Sequence, residues 1–88
     1  MRRLALRKER KRIDDIDSRI ISLLSKRKNL AGKLGRLKKG KGLKMTDKAR
    51  EKEVMENARA MAREKGIDEQ FTTELFRRII KYSKEKQK

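Results

Sequence analysis

Apolar residues in the first half of the chain recur every seven residues along two parallel rows. The rows are Leu6, Ile13, Ile20 and Leu34, and Ile16, Leu23, Leu30 and Leu37. This spacing predicts one long helix over 6–38 that packs lengthwise against another helix, preceded by a frayed lead-in over 1–5. Such a helix would be roughly 50 Å long, whereas a compact chain of this length is about 30 Å across. Because the rest of the chain cannot cover it, we expect a second chain.

Two shorter helices are predicted after the long one. A basic loop is expected over 39–45, where two glycines stop the first helix. Thr46 or Asp47 can cap the second helix, and Gly66 can end it in a left-handed conformation. Asp68 can cap the third helix. The sequence therefore predicts an all-α fold with three helices, one long and two shorter, as a single domain over 1–88.

Polar residues interrupt the apolar face of each predicted helix. Arg27 stands in the first apolar row between Ile20 and Leu34, and Lys38, eleven residues on, lies on nearly the same side. A bare cation in an apolar interface costs several kcal/mol unless an anion meets it. On the later helices, the polar residues that continue the apolar rows are Arg50, Glu51, Ser83 and Gln87. Cations and neutral hydrogen-bonding groups together suit a small molecule with more than one carboxylate or phosphate.

Each of these residues also has an ordinary structural interpretation. Arg27 could be the buried partner of Glu51, or of an aspartate on a partner helix. The other polar positions lie near helix ends, where dipole-matched charge, capping or a frayed apolar stripe would account for them. Only their joint occurrence indicates a binding site.

The composition excludes several kinds of catalytic group. The chain has no Cys and no His, which excludes thiolate and imidazole chemistry, and no carboxylate cluster indicates a metal site. No apolar run of about eighteen residues and no signal sequence is present, so a cytoplasmic protein without a membrane segment is expected.

The charge balance leaves a second class of function open. Lys and Arg outnumber Asp and Glu by 29 to 13, for a net charge of +16. Such a charge attracts nucleic acid, acidic membranes and small polyanions alike. The alternatives are therefore a basic helical dimer that binds nucleic acid, and an inactive helical pairing module. The scattered basic residues and the lack of an aromatic platform argue against specific nucleic-acid recognition.

The ordered set of polar positions resembles that of the all-helical chorismate mutases, which are intertwined homodimers of three-helix subunits. The stretches that carry the resemblance are I-D-D-I-D at 13–17, D-x-x-R-E at 47–51 and G-I-D at 66–68. The matching polar positions are Arg10, Arg27, Lys38, Asp47, Arg50, Glu51, Ser83 and Gln87. The resemblance extends from about residue 6 to residue 87. Lys84 departs from the pattern, because relatives often carry an aliphatic residue there.

The resemblance implies isomerisation of chorismate to prephenate, a Claisen rearrangement within one molecule that needs no cofactor or metal. It further implies that Arg10 and Arg27 bind the substrate carboxylates. Lys38 and Gln87 would donate hydrogen bonds to the ether oxygen, where negative charge grows in the transition state. Arg10 and Arg27 are seventeen residues apart, or about 25 Å along one helix. Arg10 is therefore expected to come from the other subunit of the homodimer.

The remaining matched residues have implied supporting roles. Glu51, with the backbone near Asp47, would bind the ring hydroxyl of the substrate. Ser83 and Arg50 would support a carboxylate and the local hydrogen bonds. The apolar wall would consist of Ala31, Leu34, Val54 and Ile80. Chorismate is thus the expected small-molecule partner, and nucleic acid is expected to bind only non-specifically.

Overall fold

The protein folds into three helices. The computed structural model describes residues 2–44 and 46–87. Met1 of the predicted lead-in, Met45 of the predicted loop and Lys88 lie outside the described residues. Within that part the helices are α1 (Arg2–Gly40), α2 (Lys48–Lys65) and α3 (Glu69–Gln87), with no strand. The predicted all-α fold with one long and two shorter helices is confirmed.

The residues predicted to cap the two shorter helices do so. The Asp47 carboxylate accepts a hydrogen bond from the Arg50 backbone N–H at 3.0 Å, at the start of α2. Gly66 ends α2 with a φ of 74°, in the left-handed conformation that glycine adopts without strain. The Asp68 carboxylate accepts from the Gln70 N–H at 3.2 Å before α3. Each of the two N-terminal caps contributes about 1 kcal/mol to the stability of its helix.

Helix α1 is longer than the apolar pattern predicted. The expected frayed lead-in is wrong for residues 2–5, which are helical, and the helix also includes Lys39 and Gly40. The apolar rows begin only at Leu6, but the first residues are Arg, Leu and Ala, which are strong helix formers. The chain then turns at Gly42, with a φ of 67°.

Helix α3 lies between the other two and contacts both. Its C-terminal end comes very close to α1 at Gly35, where a Cβ atom would lie 2.6 Å from the Gln87 Cα. Gly35 and Ala31 are buried at this crossing. Small residues on α1 therefore let the last turn of α3 approach the helix backbone, and this contact places Gln87 beside the second half of α1.

Most of α1 remains uncovered in the single chain. The molecule measures 61 × 24 × 15 Å with a radius of gyration of 17.0 Å, well above the roughly 12 Å of a compact chain. The eight residues of the two apolar rows, here called the seam, are 49–62% exposed. The buried apolar residues of the described chain are Ala31, Ala58 and Ala62. One chain alone therefore buries almost no core.

None of the helices in the described chain has a stretch long and apolar enough to cross a membrane.

Candidate active site

A cavity of about 450 Å³ lies where the second half of α1, the start of α2 and the end of α3 meet. Seven of the eight polar residues singled out in the sequence line it: Arg27, Lys38, Asp47, Arg50, Glu51, Ser83 and Gln87. Its apolar lining consists of Leu30, Ala31, Leu34, Val54 and Ile80. The structure thus brings together side chains that are up to sixty residues apart in the sequence.

Arg27 enters the cavity from the middle of α1 and is half-buried. Its guanidinium donates a hydrogen bond to the hydroxyl of Ser83, which in turn donates to the Ile79 carbonyl at 3.0 Å. Ser83 is itself buried, so this contact fixes the direction of the arginine.

The pKa of Arg27 is lowered, first by burial, which disfavours the charged form, and then by the nearby positive charge of Arg50. Arginine still remains protonated, because its normal pKa lies far above neutral pH. The interpretation of Arg27 as a buried partner of Glu51 is wrong within the chain, since Glu51 pairs with Lys84 instead. No carboxylate of residues 2–44 and 46–87 forms an ion pair with Arg27, so its charge is available to an anion in the cavity.

Lys38 and Gln87 meet in the lining of the cavity. The Lys38 ammonium donates to Oε1 of Gln87 at 3.0 Å, which orients the amide so that its NH₂ group remains as a donor. An ammonium and an amide N–H thus lie side by side. Two adjacent donors of this kind can stabilise an oxygen atom on which negative charge develops.

The start of α2 supplies the carboxylates of the cavity. Asp47 caps the helix through its side chain, and the Arg50 guanidinium pairs with Glu53. The Glu51 carboxylate is about one-third exposed, and its Oε2 atom lies 3.0 Å from the Lys84 ammonium. The cavity is therefore lined by four cations and two carboxylates, a balance that favours an anionic ligand.

Arg10 is the predicted site residue that the structure keeps apart from the cavity. It lies on the exposed first half of α1 and is not among the lining residues. This position agrees with the distance of about 25 Å expected from the helix rise. Within one chain, Arg10 and Arg27 do not share a site.

Lys84 is the lining residue whose contact the sequence did not indicate. Its place beside Ser83 could be read from helical spacing, but its pairing with Glu51 depends on how α3 packs against α2. The hydrophobic periodicity of the sequence does not predict the distance between α2 and α3.

Two comparisons with known proteins name the same family. The model of chorismate mutase type II matches residues 9–88. A chorismate mutase of Methanocaldococcus jannaschii is 33% identical over 79 residues, which cover 90% of this chain and 80% of that protein. A solved structure, a conserved hypothetical protein from Pyrococcus furiosus, superposes with a TM-score of 0.76 at 37% identity and covers 96% of both chains. The chain therefore belongs to the chorismate mutase type II family.

Proposed function

We propose that this protein isomerises chorismate to prephenate in the cavity between its three helices. The observation that carries the proposal is the pairing of Arg27 with Ser83 and of Lys38 with Gln87 around one anion-sized cavity. The rearrangement breaks one C–O bond and forms one C–C bond within a single molecule. It therefore calls for a site that holds a folded dianion and stabilises developing charge.

Arg27 and Lys38 have the leading roles in this proposal. Arg27, held by Ser83, binds one carboxylate of the substrate, and its partial burial strengthens that interaction. Lys38 and the amide of Gln87 donate to the ether oxygen as the C–O bond breaks. These donors are in place before the reaction, so little reorganisation is needed as the charge develops.

The start of α2 would bind the other end of the substrate. Glu51 accepts a hydrogen bond from the ring hydroxyl, with the backbone near Asp47 beside it. Arg50, which lines the cavity, adds positive charge. The apolar wall favours the compact conformer in which the two reacting carbon atoms are close together.

The site is completed by a second subunit. The exposed seam on α1 predicts an intertwined homodimer, in which the long helices pair antiparallel around a two-fold axis. In that arrangement Arg10 of the partner subunit reaches the cavity and binds the second substrate carboxylate. The exposure of the seam and the separation of Arg10 from the cavity both support this assembly.

The direct test is to follow the loss of chorismate by its ultraviolet absorbance. Arg27→Ala should lower kcat/KM on the order of 10²- to 10³-fold, or about 3 to 4 kcal/mol of transition-state stabilisation. Arg36→Ala removes an exposed arginine of the same helix and should leave the rate within about twofold of the wild type.

Two outcomes would contradict the proposal. One is a wild type that does not consume chorismate, and the other is an Arg27→Ala variant that is as active as Arg36→Ala. Absent turnover, together with nucleic-acid binding that weakens steeply with salt, would favour the nucleic-acid-binding dimer instead.

A further inference from the structure

Lys84 is the cation among the described lining residues that the proposed reaction does not use. It lies on α3 and contacts Glu51 across the gap to α2, with 3.0 Å between Nζ and Oε2. The two side chains are only 36% and 32% exposed. By contrast, the Lys11–Asp15 pair on the surface of α1 has side chains that are 78% and 64% exposed. The Lys84–Glu51 pair is thus better shielded from water than an ordinary surface pair, and a shielded pair interacts more strongly.

The Glu51 carboxylate depends on this lysine. Its Oε2 atom is inaccessible to solvent and accepts no well-directed hydrogen bond from the described residues, so the nearby ammonium compensates its charge. The two arginines of the cavity do not replace Lys84 in this role. Arg27 donates to Ser83, and Arg50 pairs with Glu53. Without Lys84 a partly buried carboxylate would be left uncompensated, which is costly.

We propose that Lys84 is a positioning residue that holds Glu51 by its Oε2 atom and leaves Oε1 to accept a hydrogen bond from the hydroxyl of the bound dianion. The inference rests on the proposed function, because it assigns Glu51 to the hydroxyl of chorismate. Lys84 also offsets the negative charge of Glu51, which would otherwise repel a dianionic ligand. Lys84 acts through Glu51 and does not contact the reacting atoms of the substrate.

This role has a distinct kinetic signature. The hydroxyl and both carboxylates are present in the substrate and in the transition state, so the hydrogen bond that the hydroxyl donates to Glu51 contributes equally to binding both. Loss of such uniform binding raises KM and leaves kcat nearly unchanged. Misfolding, by contrast, lowers the fraction of active enzyme and so lowers the apparent kcat at constant KM.

The experiment compares kcat and KM for chorismate in the protein and its variants. Lys84→Met, which keeps the length of the side chain and removes its charge, should raise KM roughly 5- to 20-fold and change kcat less than about threefold. Lys84→Arg should keep KM within about threefold of the wild type. Lys81→Met removes an exposed lysine on the same helix that does not line the cavity, and it should behave like the wild type.

A double-mutant cycle tests whether Lys84 acts through Glu51. In a Glu51→Gln background, Lys84→Met should change KM less than about twofold, because there is no carboxylate left to hold. An equal effect of Lys84→Met in both backgrounds would overturn the inference and indicate direct contact with the substrate. A Lys84→Met variant whose KM stays within twofold of the wild type, or which loses only kcat, would also overturn the inference.

A wild type that does not consume chorismate would overturn the proposed function together with this inference. The outcomes for the Lys84→Met variants overturn this inference alone.

Discussion

The two halves of α1 carry the same apolar repeat in different surroundings. Residues 2–23 are all exposed. In the second half Ala31 and Gly35 are buried against α3, and Arg27 and Lys38 line the cavity. The described part of the chain therefore leaves the first half of the helix uncovered, while the second half forms the candidate site. In the proposed homodimer, one helix would therefore both pair two subunits and build the site.

The largest effect is expected from disrupting the first half of the helix. Ile16→Asp would place a carboxylate in the proposed dimer interface, at a cost of several kcal/mol for each subunit. Since the single chain buries almost no core, we expect loss of the dimer, loss of most helical structure and loss of activity. Analytical ultracentrifugation and far-ultraviolet circular dichroism measure the first two.

The matched control for Ile16→Asp is Ser18→Asp. It introduces the same charge on the same helix, two residues further along and on the face opposite the seam. We expect this variant to remain dimeric and active. A dimeric and active Ile16→Asp variant would show that the seam does not pair the subunits.

The second half of α1 is tested at its contact with Gln87. An amide donates a hydrogen bond at any pH, whereas a glutamate donates only when its carboxyl group is protonated. Gln87→Glu should therefore be about 10²-fold slower than the wild type at neutral pH and should regain activity as the pH falls. The measurement is the ratio of kcat/KM between variant and wild type from pH 8 to pH 4.5. A flat ratio would argue against an interaction between Gln87 and the ether oxygen.

The smallest effect is expected at the crossing of α1 and α3. Gly35→Ala would place a Cβ atom against the Gln87 backbone and should lower the stability by about 1 to 3 kcal/mol. At Gly32 a Cβ atom would meet its nearest atoms at 3.7 Å, an ordinary van der Waals distance. Gly32→Ala should therefore raise the stability by up to about 1 kcal/mol through helix propensity. Thermal unfolding gives the Tm of each variant. Equal changes in Tm would mean that Gly35 is not needed for the close approach of α1 and α3.

Much of the fold could be predicted from local signals. The seven-residue repeat located the long helix, and the side chains of Asp47 and Asp68 marked the starts of the two others because capping depends only on neighbouring residues. The start of α1 was misplaced because residues 2–5 are helical through propensity alone, without an apolar row.

The candidate site could be predicted only in part, because it depends on how the helices pack. Helical spacing identified Arg27 and Ser83 as polar interruptions of apolar rows, but it could not show that they bond to each other. The pairing of Glu51 with Lys84 in place of Arg27 depends on the distance between α2 and α3. Distances between helices cannot be predicted from the spacing of residues within each helix.

The central claim, that each site is built from two subunits, is tested most directly by mixing two variants. Arg10→Ala and Arg27→Ala should each be nearly inactive, because each damages both sites of its own homodimer. Unfolded together and refolded in equal amounts, they should form hybrid dimers in which one site carries both substitutions and the other carries none. The mixture should then regain about a quarter of the wild-type activity. A mixture no more active than its two components would contradict the shared site.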